Sequence, residues 1–343
     1  ACINNKKILV TGAGGSIGAE ITRQLLSSNP RTVILFELSE YNLFNIEREC
    51  LAIKDSKNLD TEIIPILGDI RDSSNLEHVF QKFSIDQIYH AAAYKHVPIV
   101  ENENNISKAA ENNILGTYNL ANSAVKHGIH SFVMISTDKA VRPTNIMGAT
   151  KRFAEIIIQS INSEASNTKF SMVRFGNVIN SSGSVIPLFI DQISRGGPIT
   201  VTHKDVMRYF MTIPEASNLV LQAGEMSSGG EVFILDMGEQ VKIFDLARKL
   251  IHLSGRNHAD GDGVDGIEIV EVGLRPGEKM YEELLISGSE LKTENPKIYK
   301  ATESFIEPKI LKPLLAELKG SIGSFDNKKI LTLLSQHVEG FDR

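Results

Sequence analysis

Tryptophan is absent from this 343-residue chain, cysteine occurs only as Cys2 and Cys50, and aromatic residues make up 6%. Two cysteines are too few for a disulfide framework or a thiolate metal site, which points to a reducing compartment. No run of about 18 apolar residues occurs, so the sequence offers no transmembrane helix and no membrane contact of its own. Positive charge is in deficit: 36 Lys and Arg against 42 Asp and Glu give a net charge of −6. That balance argues against a nucleic-acid partner and leaves anion binding to helix amino termini and a few arginines. His90, His96 and His203 lack metal-ligand spacing and read as packing or supporting groups; no metal is expected. Internal repeats and low-complexity tracts are also missing. What remains, 42% hydrophobic over this length, suffices for one extended α/β unit with a second lobe.

The amino-terminal half alternates short apolar runs with helical patterns. Lys7 to Thr11 reads as a strand, followed by Gly12-Ala13-Gly14-Gly15-Ser16-Ile17-Gly18 and the helical pattern of Glu20 to Leu26. Glycines at 12, 15 and 18 permit a tight turn and close backbone approach to a pyrophosphate, with free amides of Ser16 and Ile17 at a helix amino terminus to receive its charge. A second strand, Thr32 to Phe36, ends at Glu37, about 20 residues beyond the turn, where a carboxylate accepts from ribose hydroxyls and repels a 2'-phosphate. NAD is therefore expected rather than NADP. A third strand, Ile63 to Leu67, leads to Asp69 and Ile70, placed to bracket an adenine. The fourth ends at His90, and the small residues Ala91, Ala92 and Ala93 let the backbone approach the cofactor.

Ser131 to Ile135 reads as a buried parallel strand, which puts Ser136 to Lys139 at its carboxyl end, where ligands bind in doubly wound sheets. Pro143 blocks helix continuation, so the next helix is expected from near Asn145 towards Ile158. Met147 and Lys151, four apart, share one face of it. Further on, Phe170 to Arg174 reads as a strand, Ile199 to Thr202 and Tyr209 to Ile213 as short ones, Pro214 to Gly224 as a helix and Val232 to Leu235 as the last sheet strand. His258 to Gly266 reads as an exposed loop, and Leu311 to Leu318 and Lys328 to Leu334 as amphipathic packing or interface helices.

The glycine turn, Gly68-Asp69-Ile70-Arg71-Asp72, the alanine run, Asn113-Ile114-Leu115-Gly116-Thr117 and Met147-x-x-x-Lys151 occur in order, as in the extended short-chain dehydrogenase/reductase superfamily. Within it the chain resembles the nucleotide-sugar 4,6-dehydratases of polysaccharide biosynthesis that act on UDP-N-acetylglucosamine. The resemblance is carried by Ala92-Ala93-Tyr94-Lys95-His96-Val97-Pro98, Ser136-Thr137-Asp138-Lys139-Ala140-Val141, Arg174-Phe175-Gly176-Asn177-Val178 and Arg275-Pro276-Gly277-Glu278-Lys279. It implies a Rossmann-type doubly wound parallel sheet over residues 1–175, with 210–240 returning to it, and a smaller UDP-sugar lobe over 176–209 and 241–343. Most of the superfamily has Tyr-x-x-x-Lys where this chain has Met147. The resemblance therefore points to the branch that retains configuration at C5, and to a product with a 4-keto group and a C6 methyl.

Further roles follow from the resemblance. Asn113 and Lys151 would contact the cofactor; Lys95, His96, Asn177, Ser184, Val185, Arg208, Arg275 and Glu278 would contact the UDP-sugar, the arginines gripping phosphate and Glu278 the uridine ribose. Asp138 and Lys139 would act as acid and base for loss of water across C5–C6, both with pKa values drawn towards neutrality. Methionine cannot titrate, so Thr137 and Lys151 are left to handle the C4 hydroxyl. Such enzymes are often dimers through residues 106–127 and 147–165. Because the chain opens Ala1-Cys2-Ile3 without methionine, it is expected to be the cytoplasmic catalytic part of a longer protein, tethered to the inner membrane by a preceding segment. A UDP-hexosamine 4-epimerase, a C5-inverting dehydratase and a non-catalytic NAD-binding protein stay open as alternatives.

Overall fold

The computed structural model of the protein describes residues 3–165, 167–259, 266–283 and 290–342. The amino-terminal half runs β1 (Lys7–Thr11), α1 (Ser16–Leu26), β2 (Thr32–Glu37), α2 (Glu40–Lys57), β3 (Glu62–Leu67), α3 (Ser73–Lys82), β4 (Gln87–His90) and the short α4 (Val97–Val100). Then come α5 (Ile106–Ala110), a π-helical stretch Glu111–Gly116, α6 (Thr117–Lys126), β5 (Ser131–Ile135), α7 (Ile146–Glu164) and β6 (Lys169–Arg174). Apolar runs such as Thr32–Glu37 are buried along their whole length because helices cover both faces of the sheet. One layer, α1 and α2 joined later by α9 (Ile213–Met226), packs Ile21, Leu25, Leu43, Cys50 and Leu219 on the sheet. The opposite layer, α3, α6 and α7, packs Leu76, Phe80, Leu120, Ala154 and Ile158.

After β6 the chain leaves the sheet through β7 (Asn177–Val178), α8 (Val185–Ser194), β8 (Ile199–Val201), β9 (Met207–Arg208) and β10 (Phe210–Met211). It returns through α9 to β11 (Glu231–Leu235), parallel to β6. A second excursion holds β12 (Val241–Lys242), α10 (Ile243–Leu253) and β13 (Ile269–Glu271). Phe189, Ile193, Val201, Val206 and Ile251 give this smaller lobe its own core.

Among the described residues the main sheet has nine strands, in the order β14 (Leu291–Lys292), β15 (Ile298–Ala301), β11, β6, β5, β4, β1, β2, β3. Strand order reverses between β1 and β4, and the crevice at their carboxyl ends is the switch point at which such sheets bind ligands. The fold is thus the doubly wound α/β arrangement that the sequence implies.

Four details differ from expectation. β11 is not the last strand: β15 (Ile298–Ala301) pairs antiparallel with it and β14 (Leu291–Lys292) with β15. Tyr209 to Ile213 is no single strand, since Thr212 caps α9, its hydroxyl accepting from the Glu215 amide, and Pro214 fits the first helical turn. The carboxyl-terminal α11 (Pro308–Gly323) and α12 (Asn327–His337) do not join the smaller lobe, where the sequence analysis puts them. Leu311, Leu314, Leu318 and Leu334 pack with Ile106, Ile114, Phe153 and Ile157, so α5 and the facing side of α7, where the sequence suggests a partner subunit, are covered by the chain's own helices. Residues 260–265 of the expected loop, and Cys2, lie outside the described residues; His258 bridges to Ile267 beside them. Among the described residues no helix is long and apolar enough to cross a membrane.

Candidate active site

Two adjoining cavities fill the crevice above β1, β4 and β5. The first, about 370 Å³, is lined by the glycine turn, Glu37, Asp69, Ile70, Ala91 to His96 and Ser182. The second, about 330 Å³, is lined by Ile17, Gly18, Thr137, Lys139, Met147, Lys151, Phe175, Asn177, Ser184, Val185 and Phe210 among others. Gly15, Ser16, Ala91, Ala93 and Lys95 border both, so the cavities are neighbours.

The glycine turn is shaped by close approach. Gly12 has φ +63°, and a Cβ on Gly18 would overlap the Gly12 carbonyl oxygen. A Cβ on Gly15, by contrast, would have one neighbour, that same oxygen at 3.3 Å, which leaves the start of α1 open to the cavity. Glu37 locks the turn: its carboxylate accepts from the amides of Gly14 and Ser39, each at 3.0 Å. Behind the alanines, the buried His90 bonds Thr11 and Thr117 at 2.7 and 2.9 Å. Burial, with help from Lys151, lowers its pKa to about 3, so it stays neutral. A backbone cradle ending in a fixed carboxylate fits a dinucleotide.

In the second cavity Thr137, Asp138 and Lys139 form the turn after β5. Thr137 Oγ1 donates to Asp138 Oδ1 at 2.9 Å, and Lys139 Nζ donates to the same oxygen at 2.9 Å and to Asn177 Oδ1 at 3.3 Å. Asp138 lies beneath the cavity wall, 1% exposed. Against this turn packs α7, capped by Asn145, whose side chain accepts from the Gly148 amide. Met147 is packed into the core around α7 while it borders the cavity. Lys151 Nζ donates to the Ile135 carbonyl at 2.7 Å, and burial lowers its pKa to about 8 against the pull of Glu155.

Several expected residues stand elsewhere. Asn113 lines neither cavity, because its amide is spent on the backbone of Tyr94, at 2.8 and 2.9 Å, and on Thr150. His96 borders the first cavity, against Gly183, rather than the second. Asp69 borders the first cavity with its carboxylate held by Arg71. Arg208, Arg275 and Glu278 line neither: Arg208 and Thr202 occupy Glu278, at 3.0 and 2.9 Å, and Arg275 is exposed. Lys139 is not drawn towards neutrality. Burial works against its charge, but Asp138 and Glu282 outweigh it and raise its pKa. Glu282, which sequence reasoning passed over, stands 3.3 Å from Lys139 Nζ. It reaches the site through a loop contact that no spacing announces.

Comparisons with known proteins show what the chain as a whole is similar to. The pattern of a family described as polysaccharide biosynthesis protein matches residues 8–303. Over 337 residues the chain is 48% identical to the capsular polysaccharide biosynthesis protein CapD of Staphylococcus aureus, covering 97% of this chain and 54% of that one, so it spans about half the length of that relative. It is 32% identical over 288 residues to a UDP-N-acetylglucosamine 4,6-dehydratase (inverting) of Campylobacter jejuni, covering 83% and 78% of the two chains. The solved structure of Pen from Bacillus thuringiensis matches with a TM-score of 0.77 at 33% identity, covering 93% of this chain and 99% of that one.

Proposed function

Since the chain belongs to the polysaccharide-biosynthesis protein family of extended short-chain dehydrogenases/reductases, we propose that it is an NAD-dependent UDP-N-acetylglucosamine 4,6-dehydratase that retains configuration at C5. The observation that carries this reading is the Asp138–Lys139 ion pair, 2.9 Å apart, whose Lys139 lines the same cavity as Lys151. NAD bound in the first cavity would take a hydride from C4 and return it to C6. Lys151, an amine in good part above pH 8, removes the C4 hydroxyl proton while Thr137 orients that hydroxyl. Oxidation at C4 acidifies C5–H. Lys139 first passes a proton to Asp138; its amine then takes the C5 proton while Asp138 protonates the departing C6 hydroxyl. One water leaves; as the hydride returns to C6 the Lys139 ammonium gives a proton to C5, and the proton taken up by Lys151 passes back through solvent to restore the starting carboxylate and ammonium.

A second reading, C5 inversion, is supported by the name of the Campylobacter relative. Met147 supports retention through the resemblance alone, since methionine stands at this position in the retaining branch and tyrosine in the inverting one. Mass spectrometry of UDP-N-acetylglucosamine after incubation with the protein tests the reaction: loss of one water is expected. Asp138→Asn should abolish that loss, and undiminished turnover by this variant would remove Asp138 as the acid.

A further inference from the structure

Lys139 has three N–H donors, and three acceptors surround it: Asp138 Oδ1 from its own turn, Asn177 Oδ1 from β7 and Glu282 Oε1 from the segment after Glu278. The first two come from the cofactor half of the crevice and the strand that leaves it. Glu282 alone comes from the distal part of the smaller lobe, and its backbone carbonyl is held there by Gln240 at 3.1 Å. We propose that Glu282 is a positioning residue for Lys139, fixing the direction of its amine and completing the acid/base group from the substrate side.

The alternative duty, neutralising Arg208, is already met. Glu278 bonds Arg208 at 3.0 Å, whereas Glu282 stands 3.7 Å from its Nε. The second oxygen of Glu282 is buried and without a hydrogen-bond partner among the described residues, as is that of Asp138. A carboxylate held this way is a poor stabiliser of a fold, since its unpaired oxygen was stripped of water for no return. It is a strong influence on the ammonium beside it. The charged groups that face Lys139 are Asp138, Glu282 and, with opposite sign, Arg208, and the two carboxylates prevail over both the arginine and burial.

This role rests on the reading of Lys139 as the base for C5. In that reading Glu282 strengthens the base by stabilising the ammonium that it becomes, and Glu282→Gln weakens it. The amine then titrates lower and the alkaline limb of turnover moves to lower pH by about one to two units. A structural role alone would not move that limb.

The test is trace acetylation of the whole protein across pH, read by mass spectrometry at Lys139, in the wild type, Glu282→Gln and Glu282→Asp, beside the pH profile of UDP-sugar turnover. Expected is a Lys139 labelling curve shifted downward in Glu282→Gln and restored in Glu282→Asp, with the alkaline limb moving in parallel. An unshifted labelling curve in folded Glu282→Gln overturns the proposal. A shifted curve in a protein that turns over no UDP-sugar upholds the Glu282–Lys139 relationship and sinks the dehydratase reading instead.

Discussion

Lys151 Nζ donates to the main-chain carbonyl of Ile135 at 2.7 Å, so the residue one turn beyond Met147 ties α7 to the carboxyl end of β5. Its pKa, lowered by burial to about 8, sets a sign for both activity and stability. If the amine removes the C4 hydroxyl proton, the rate of NADH appearance in a single turnover rises with pH and levels off above about 8. Lys151→Met should reduce that rate by roughly 100-fold or more. A lysine that binds its proton less readily when folded opposes folding below the folded pKa, and the opposition fades as pH rises towards the unfolded value of about 10.4. Lys151→Met should therefore raise Tm near neutrality, with a gain that shrinks in alkaline buffer. A variant that loses stability at neutral pH would contradict the assignment.

Glu155 stands at the centre of a buried charge cluster below the site. It bonds Ser136 at 2.6 Å, Arg174 at 2.5 and 2.8 Å and Arg152 at 3.1 Å, while Glu303 pairs with both arginines. Burial pushes its pKa up, but Arg174 and Arg152 prevail and bring it down to about 2. Its contribution to stability is thus complete above the unfolded value of about 4.3 and is lost as pH falls towards 2. Glu155→Gln leaves Arg174 buried with too little countercharge and should cost about 3–5 kcal/mol in urea unfolding at neutral pH. The difference from wild type should narrow in acid; a constant difference across pH would refute the electrostatic account.

Gly148 allows the first turn of α7 to lie against the turn that carries Asp138 and Lys139. A Cβ there would overlap the Lys139 carbonyl oxygen, which is backbone and does not yield. Gly148→Ala should destabilise the protein by about 1–3 kcal/mol. Turnover should fall further than cofactor retention, because the displaced atoms belong to Lys139 and not to the glycine turn. Normal kcat with normal Tm would show that the contact relaxes freely.

The strands that build the crevice were legible because each is a short apolar run bounded by polar or small residues: Lys7–Thr11 and Ser131–Ile135 have the expected bounds. Residues near those strand ends, such as Gly15, Thr137 and Lys139, were legible for the same reason. Periodicity also found the helices around Leu311 and Lys328, but it gives only the presence of an apolar face and not the surface that receives it, which proved to be α5 and α7. β14, two residues long, does not stand out from a loop. Glu278 and Arg208 look like ligand groups in sequence, and in space they satisfy each other at 3.0 Å. Glu282 was invisible because its importance lies in one distance, to Lys139.

Thr137 Oγ1 sits 2.9 Å from Asp138 Oδ1, and in the proposed mechanism it serves both the acid and the sugar hydroxyl. Thr137→Val keeps the shape and deletes the hydroxyl. It should lower kcat by about 10- to 100-fold while leaving bound NAD, measured after denaturation, unchanged. Full activity would remove Thr137 from the mechanism.

The central claim is the reaction itself and its stereochemistry. NMR of UDP-N-acetylglucosamine incubated with the protein in deuterated water reads both at once. The account predicts a new C6 methyl signal, a 4-keto ring or its hydrate, and an unchanged configuration at a C5 that has acquired deuterium. A C5-inverted methyl sugar would contradict the argument from Met147, and a galacto-configured product without a methyl group would contradict the dehydratase assignment altogether.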